Sequence, residues 1–178
     1  MTAADVARVR AATVGDAEVI ARHRAEMFRD MGALPDALYE PLRAAARAYV
    51  ERAIATGEYV GWLAAPIDRP GEVIAGAGVQ LRPILPRPVA GRVALGPEAI
   101  VLNVFTERPW RLRGLAALLM RHVLDWARIN GIASLVLHAA PDGRALYERL
   151  GFVGTNEMRF PEPGTGRVPA DGTRMGSG

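Results

Sequence analysis

Between Ile100 and Ala127 the chain changes its hydrophobic period across one short turn, and no other stretch limits the fold as much. Ala99 to Thr106 is an apolar run rich in β-branched residues, the pattern of a strand covered on both faces. From Gly114 the period becomes helical. Ala116, Leu119, Met120, Val123 and Ala127 fall on one side, and Arg121, Asp125 and Arg128 on the other. Gly131 follows as a stop. The turn between strand and helix reads Arg111-Leu-Arg-Gly114-Leu-Ala116.

The remaining chain supplies partners for such a unit. Val6 to Ala11 alternates as a short strand, and Thr13 to Asp16 offers a capping-box-like start to a helix ending near Gly32. A second, alanine-rich helix spans about Pro35 to Thr56, with Pro41 as a break near its beginning. Tyr59 to Ala65 and Val73 to Leu81 read as strands joined by an Asp-Arg-Pro-Gly turn. Leu81 to Gly96 is rich in proline and glycine and reads as a loop. Leu135 to Ala139 reads as a buried strand, Asp142 as a cap for a short helix through Leu150, and Phe152 to Phe160 as a last strand. The order is β-α-α-β-β-β-α-β-α-β, one mixed sheet with helices on its faces, in the α/β (α+β) class.

Composition removes several function classes. Cysteine is absent, which excludes disulfides, thiolate metal sites and a Cys nucleophile. Three histidines lie far apart (His23, His122, His138) and form no metal-binding motif, so no metal is expected. All 22 basic residues are arginine, yet the net charge is only +3 and the arginines are interleaved with acids, as in Arg22, Arg24, Glu26, Arg29 and Asp30. No nucleic-acid partner is expected from that distribution. No apolar run reaches the roughly 18 residues of a membrane span and no signal-peptide core is visible, so the expectation is a cytoplasmic protein without a membrane partner.

The turn before the second-half helix suits an anion. Amides in the first turn of a helix have no intrahelical partner, and the helix dipole adds roughly half a positive charge there. Gly114 and Ala116 keep side chains out of the way, while Arg111 and Arg113 add charge at the rim. A plain strand-turn-helix with surface arginines is the competing reading. A P-loop is excluded because the chain has no lysine, and no G-x-G-x-x-G opens a helix.

Arg111-x-x-Gly114-x-Ala116 after a β-branched strand resembles the coenzyme A signature of the GNAT N-acetyltransferase superfamily. Leu135-Val-Leu-His138 followed by Gly143-Arg-Ala-Leu-Tyr147-Glu-Arg-Leu-Gly151-Phe152 resembles that family's next strand and short helix, and Val9 to Asp16 resembles its first strand and helix start. The similarity is strong over 100–159 and looser before. It implies a single mixed, mostly antiparallel twisted sheet with helices on both faces. It also implies one acetyltransferase domain over 1–160, followed by a Pro/Gly-rich tail at 161–178.

The resemblance further implies acetyl-CoA as co-substrate, with pantetheine lying where the strand at Val104 to Thr106 splays from that at Leu135. Val104, Phe105 and Thr106 would hold the arm, the amides of Phe105 and Thr106 polarising the thioester carbonyl. The diphosphate would rest on the amides of Arg111, Leu112, Arg113, Gly114, Leu115, Ala116 and Ala117, with Asp142, Arg144 and Tyr147 completing the coenzyme site. Tyr147 matches the family tyrosine that protonates the leaving thiolate; packing in a core is its other reading. An alkylammonium must lose a proton before attack. Glu107 and His138 are the base candidates, with Glu98 and Glu157 also near the strands concerned. His138 could equally serve as a structural hydrogen-bonder, and many family members have no dedicated base.

The acceptor is expected to be a small-molecule amine, selected by Met27, Phe28, Asp30, Met31 and the 82–92 loop. A protein lysine or N-terminal amine, or a coenzyme A-binding module without transfer activity, are the alternatives. Dimerisation is common among similar proteins, so a homodimer stays open.

Overall fold

The computed structural model describes residues 3–89, 91–155 and 157. The chain forms two compact units, Met1–Ala140 and Pro141–Gly178.

The first unit opens with one helical turn, α1 (Ala3–Val6), which runs into strand β1 (Ala7–Ala11). Asp16 then organises the start of the next helix. Its carboxylate accepts the Thr13 N–H at 2.8 Å and the Thr13 hydroxyl at 2.9 Å, and is clamped by Arg10. These bonds satisfy groups that a helix start leaves open. Helix α2 (Ala17–Asp30) follows, then α3 (Tyr39–Ala55). Pro41 sits in the first turn of α3, where its missing N–H costs nothing, so it does not break the helix as expected.

Strands β2 (Tyr59–Pro66) and β3 (Ala75–Arg82) pair antiparallel. The expected loop at 81–96 is only partly a loop. Its first residues finish β3, and β4 (Arg87–Val89) and β5 (Arg92–Ala94) form a separate hairpin. A two-stranded ribbon has only edges, so Pro88 is tolerated there, and Gly91 at φ 76° turns the chain. Strand β6 (Glu98–Thr106), helix α4 (Leu115–Ile129) and strand β7 (Leu135–Leu137) complete the unit. Beyond Ala99, β6 alternates buried and half-buried residues instead of being covered on both faces. β7 stops at Leu137, two residues short of expectation, and its residues are half-buried.

The main sheet has the order β1-β2-β3-β6-β7, antiparallel except for the β6–β7 pair. Its two faces are covered by different helices. Leu63 packs with Ala17, Ile20, Val50 and Ala53 of α2 and α3, whereas its neighbour Trp62 stands edge-on to Trp126 of α4 with ring centroids 5.7 Å apart. Successive residues of a strand point to opposite faces, so α2 and α3 lie on one side of the sheet and α4 on the other. The fold is the mixed, mostly antiparallel α/β arrangement expected.

One glycine pair makes room for a large ring. Gly61 and Gly78 face each other across β2 and β3. A Cβ on Gly78 would lie 2.0 Å from the Tyr59 hydroxyl, and one on Gly61 3.1 Å from the same ring. Tyr59 therefore lies flat over bare backbone, almost fully buried.

The second unit holds a 3-10 turn (Pro141–Gly143) and helix α5 (Arg144–Arg149). Asp142 lies within the turn. Gly143 occupies the N-cap and no side chain caps α5, so the expected Asp142 cap is not formed. Residues 152–155 and 157 carry no strand, contrary to expectation; the rest of that segment and the 161–178 tail lie outside the described residues.

Candidate active site

Two features of β6 create a functional edge. The first is a loss of partner: β6 pairs with β7 only through Ala99–Leu135, Ile100–Val136 and Val101–Leu137. From Leu102 to Thr106 it continues past the end of β7. The second is a bulge. Gly76 faces Phe105 and Gly78 faces Leu102, so Asn103 and Val104 stand opposite the single residue Ala77. Asn103 takes φ 56°, a conformation that asparagine tolerates better than other side chains outside glycine. The extra residue resets the alternation of faces. Leu102 and Asn103, though adjacent, both face α2 and α3, as does Phe105, whose ring lies 4.9 Å from that of His23.

Backbone polarity along this edge follows from the pairing. The Glu107 N–H donates to the Ile74 carbonyl at 2.9 Å. By the two-residue period of a strand, Phe105 turns its amide toward β3 and Thr106 turns its own away. The Thr106 carbonyl confirms that direction, since it accepts the Arg111 Nε–H at 2.9 Å instead of a strand neighbour. Of the three residues expected to hold a pantetheine arm, Thr106 presents its amide to the open edge, Val104 shares its parity, and Phe105 does not.

The turn after β6 leads to a helix start without a cap. Leu112 (φ 61°) and Gly114 (φ 80°) are both left-handed, and Gly114 is the N-cap of α4. Having no side chain, it cannot satisfy the first amides. The Leu118 N–H makes the first bond of the helix, to the Gly114 carbonyl at 3.0 Å. The N–H groups of Leu115, Ala116 and Ala117 therefore have no partner within α4. The two arginines expected at the rim are exposed and each is engaged by a neighbouring side chain. Arg111 turns back onto Asp30 and the Thr106 carbonyl, over the Phe105 ring. Arg113 stacks 4.9 Å from the Trp110 ring centroid. Leu112 is fully exposed.

Glu107 is held by an ion pair. Arg22 reaches its Oε1 at 2.6 Å, and the His23 Nε2 stands 3.3 Å from the same oxygen in poor hydrogen-bonding alignment. Burial holds the His23 imidazole well below its ordinary pKa and the Arg22 charge adds to the effect, with Glu107 opposing both. This Arg22–Glu107–His23 group, of which only His23 is buried, was not read from the sequence, where His23 counted only as one of three separated histidines. Glu98 sits at the far end of β6, bonded to Arg82 and to the Ser134 hydroxyl at 2.7 Å. Burial pushes its pKa up, but those bonds outweigh it and hold the carboxyl below its usual range. His138 lies just past β7 and is exposed.

A cavity of about 330 Å³ opens beside the bulge, lined by residues of α2, α3, β2, β3 and β6. The acceptor-selecting residues expected from the sequence are not the ones that line it. Met27 and Phe28 share α2 with Arg24 but lie outside the lining, Asp30 is tied to Arg108 and Arg111, and Met31 is exposed. In place of the 82–92 loop the wall includes Tyr49, Tyr59, Gln80 and Asn103. Which residues meet across these helices and strands depends on the bulge.

In the second unit Tyr147 packs edge-on to Phe152 with ring centroids 6.0 Å apart, and burial pushes its phenol pKa up. Arg144 pairs with Glu148 at 2.8 Å, and Asp142 is exposed.

The comparisons with known proteins agree with this geometry. The sequence profile of the "Acetyltransferase (GNAT) family" matches residues 20–152. A GCN5-related N-acetyltransferase from Ralstonia eutropha JMP134 is 29% identical with a TM-score of 0.77, covering 88% of this chain and 98% of that one. A predicted acetyltransferase from Clostridium acetobutylicum, crystallised with acetyl-CoA, superimposes with a TM-score of 0.74 at 22% identity, over 88% of this chain and 96% of that one. An aminoglycoside acetyltransferase from an uncultured soil metagenomic sample shares the fold at a TM-score of 0.61 and 19% identity, over 88% and 97% of the two chains. No protein of curated function matches the chain. A match over most of the length, with β6 running past the end of β7 and the uncapped helix in place, shows that the chain belongs to the GNAT family of acetyl-CoA-dependent acetyltransferases.

Proposed function

We propose that the protein transfers the acetyl group of acetyl-CoA to the amine of a small molecule, by direct attack with both reactants bound. The observation that carries this reading is the open β6 edge at Thr106 running directly into the uncapped first turn of α4. The Thr106 amide is free to hold a carbonyl oxygen of the thioester arm. The amides of Leu115, Ala116 and Ala117 converge where the dipole favours an anion, and Gly114 leaves their approach clear for a diphosphate.

The coenzyme supplies an acyl group activated as a thioester. The acceptor nitrogen forms the new bond to the acetyl carbon, the carbon–sulfur bond breaks, and the sulfur keeps the electron pair. One proton leaves the amine and one reaches the sulfur. Tyr147, whose phenol is protonated at neutral pH, is the residue assigned to the second transfer. Glu107 is better suited to holding His23 and the end of β6 than to accepting the first, because its carboxylate is already engaged by Arg22. His138 and water remain for that step. Arg111 would release the Thr106 carbonyl when the arm binds.

A cavity of about 330 Å³ suits a small molecule better than a protein segment. The protein is proposed to act as one acetyltransferase domain over 1–160. Isothermal titration with acetyl-CoA, with dephospho-coenzyme A and ATP as controls, tests the donor site. Micromolar binding of acetyl-CoA supports it, and absence of binding refutes it.

A further inference from the structure

The cavity beside the bulge has a one-sided chemistry. Among its nine lining residues only Arg24 is ionised at neutral pH; none is an acid. Its walls are otherwise apolar side chains (Leu42, Ala46, Val50, Leu102) and the rings of Tyr49 and Tyr59. The Arg24 guanidinium lies 5.0 Å from the Phe28 ring centroid and donates from Nη1 to the Asn103 Oδ1 at 2.8 Å. No carboxylate of the described residues pairs with it, whereas Arg22 and Arg29 on the same helix both have one. Burial lowers its pKa, the mark of a cation that has lost water and gained no counter-charge.

The neighbouring groups are also arranged to donate. Asn103 Nδ2 donates to the Tyr59 oxygen at 3.2 Å, and Gln80 Nε2 donates to the Tyr49 oxygen at 2.6 Å. Each phenol is thus engaged as an acceptor, which leaves its own O–H to point elsewhere. A guanidinium fork and two phenol hydroxyls make a donor-rich surface. It matches a carboxylate, which only accepts, and repels an ammonium, which only donates.

We propose that this cavity is the acceptor subsite and that its occupant is a free α-amino acid with an apolar side chain, its carboxylate on Arg24 and its side chain against Leu42, Ala46, Val50 and Leu102. The inference rests on the transfer reading above and narrows its acceptor class. Asn103, which orients Arg24, is followed in the chain by Val104, the first residue of the open edge after the bulge. An α-amine is one carbon from its carboxylate, so an acid group seated at Arg24 brings the nucleophile to the strand that holds the thioester. Acetylation there forms the carbon–nitrogen bond of an N-acetyl amino acid, breaks the thioester, and releases coenzyme A as the thiol with one proton from the amine. A phosphorylated amine would bring nearly two negative charges to a single cation in an apolar wall and fits less well. A polyamine or aminoglycoside brings cations to a site without an acid.

The test uses matched acceptors and thiol release. L-Phenylalanine, L-leucine and L-methionine are compared with phenethylamine and isoamylamine, which lack the carboxylate, and with glucosamine 6-phosphate and spermidine. The expected result is a kcat/KM at least about tenfold higher for the amino acids, with Arg24→Gln removing the difference through KM and Arg24→Lys restoring part of it. Calorimetric binding of L-phenylalanine in the presence of coenzyme A should weaken in parallel in Arg24→Gln, while acetyl-CoA affinity is unchanged. Equal or better turnover of the decarboxylated amines, of glucosamine 6-phosphate or of spermidine overturns the proposal and leaves the donor site intact. Amino-acid binding that depends on Arg24 in a protein that does not bind acetyl-CoA would uphold the subsite and overturn the transfer reading.

Discussion

His23 shows how one buried side chain links stability to pH. Its imidazole is almost fully buried against Phe105, beside Glu107 and Arg22, and is held neutral in the folded protein. The unfolded chain protonates the same group near pH 6.5. Below that pH the unfolded state binds more protons, so stability is full above it and falls as the pH is lowered. Between pH 7.5 and 5.5 the loss from this residue should reach about 1 kcal/mol, from one pH unit below the unfolded value. Urea midpoints at the two pH values should show it, and His23→Asn should flatten the dependence. Carboxylates such as Glu98, also lowered in the folded state, lose their share only nearer pH 4, which keeps the two windows apart. Tyr147 is tested by kinetics. Tyr147→Phe should lower kcat about tenfold or more while changing the acetyl-CoA KM little; an unchanged kcat would remove the phenol from the acid role.

Among the elements, β6 and the start of α4 form the donor site proposed here and differ in how far the sequence reveals them. The Arg111-to-Ala116 spacing, the β-branched run and the helical period after Gly114 were all visible, because each is a local preference. The bulge was not. Nothing in Leu-Asn-Val-Phe says that two residues will face Ala77 alone; that depends on how β3 and β6 register. For the same reason the lining of the cavity beside the bulge was not legible, because Asn103 meets Arg24 and Tyr59 only through that register. The hairpin at 87–94 was hidden by its prolines, which exclude a central strand but not an edge. Two substitutions probe these elements. Gly114→Val forces a β-branched residue to φ 80° and fills the approach to the α4 amides, so acetyl-CoA binding should fall at least about tenfold by calorimetry. Gly78→Ala would drive a methyl group into Tyr59 and should cost about 1–3 kcal/mol in urea unfolding.

At the scale of the molecule, the all-arginine basic set could pass for a nucleic-acid signature, yet several of its members are matched by acids. Arg10, Arg22, Arg43, Arg82 and Arg108 all bond carboxylates. These pairs are spread over the surface and leave little unmatched field. Duplex DNA should therefore not be retained at 150 mM salt in a filter-binding assay. The family was legible because two motifs stood in the right order and separation. The cavity proposed for the acceptor was not, because it is assembled from five elements that no window of sequence brings together.

The bulge at Asn103 has a consequence for how such a protein can change. Leu102 and Asn103 line the cavity proposed for the acceptor, and the residues from Val104 onward, with α4, form the edge proposed for the donor. The two sets share a strand but no side chain. Mutation can therefore resculpt the choice of amine on one side of a single unpaired residue while the acyl-donor grip on the other side is inherited unaltered. A joint of that kind lets a lineage try new substrates without first losing its chemistry.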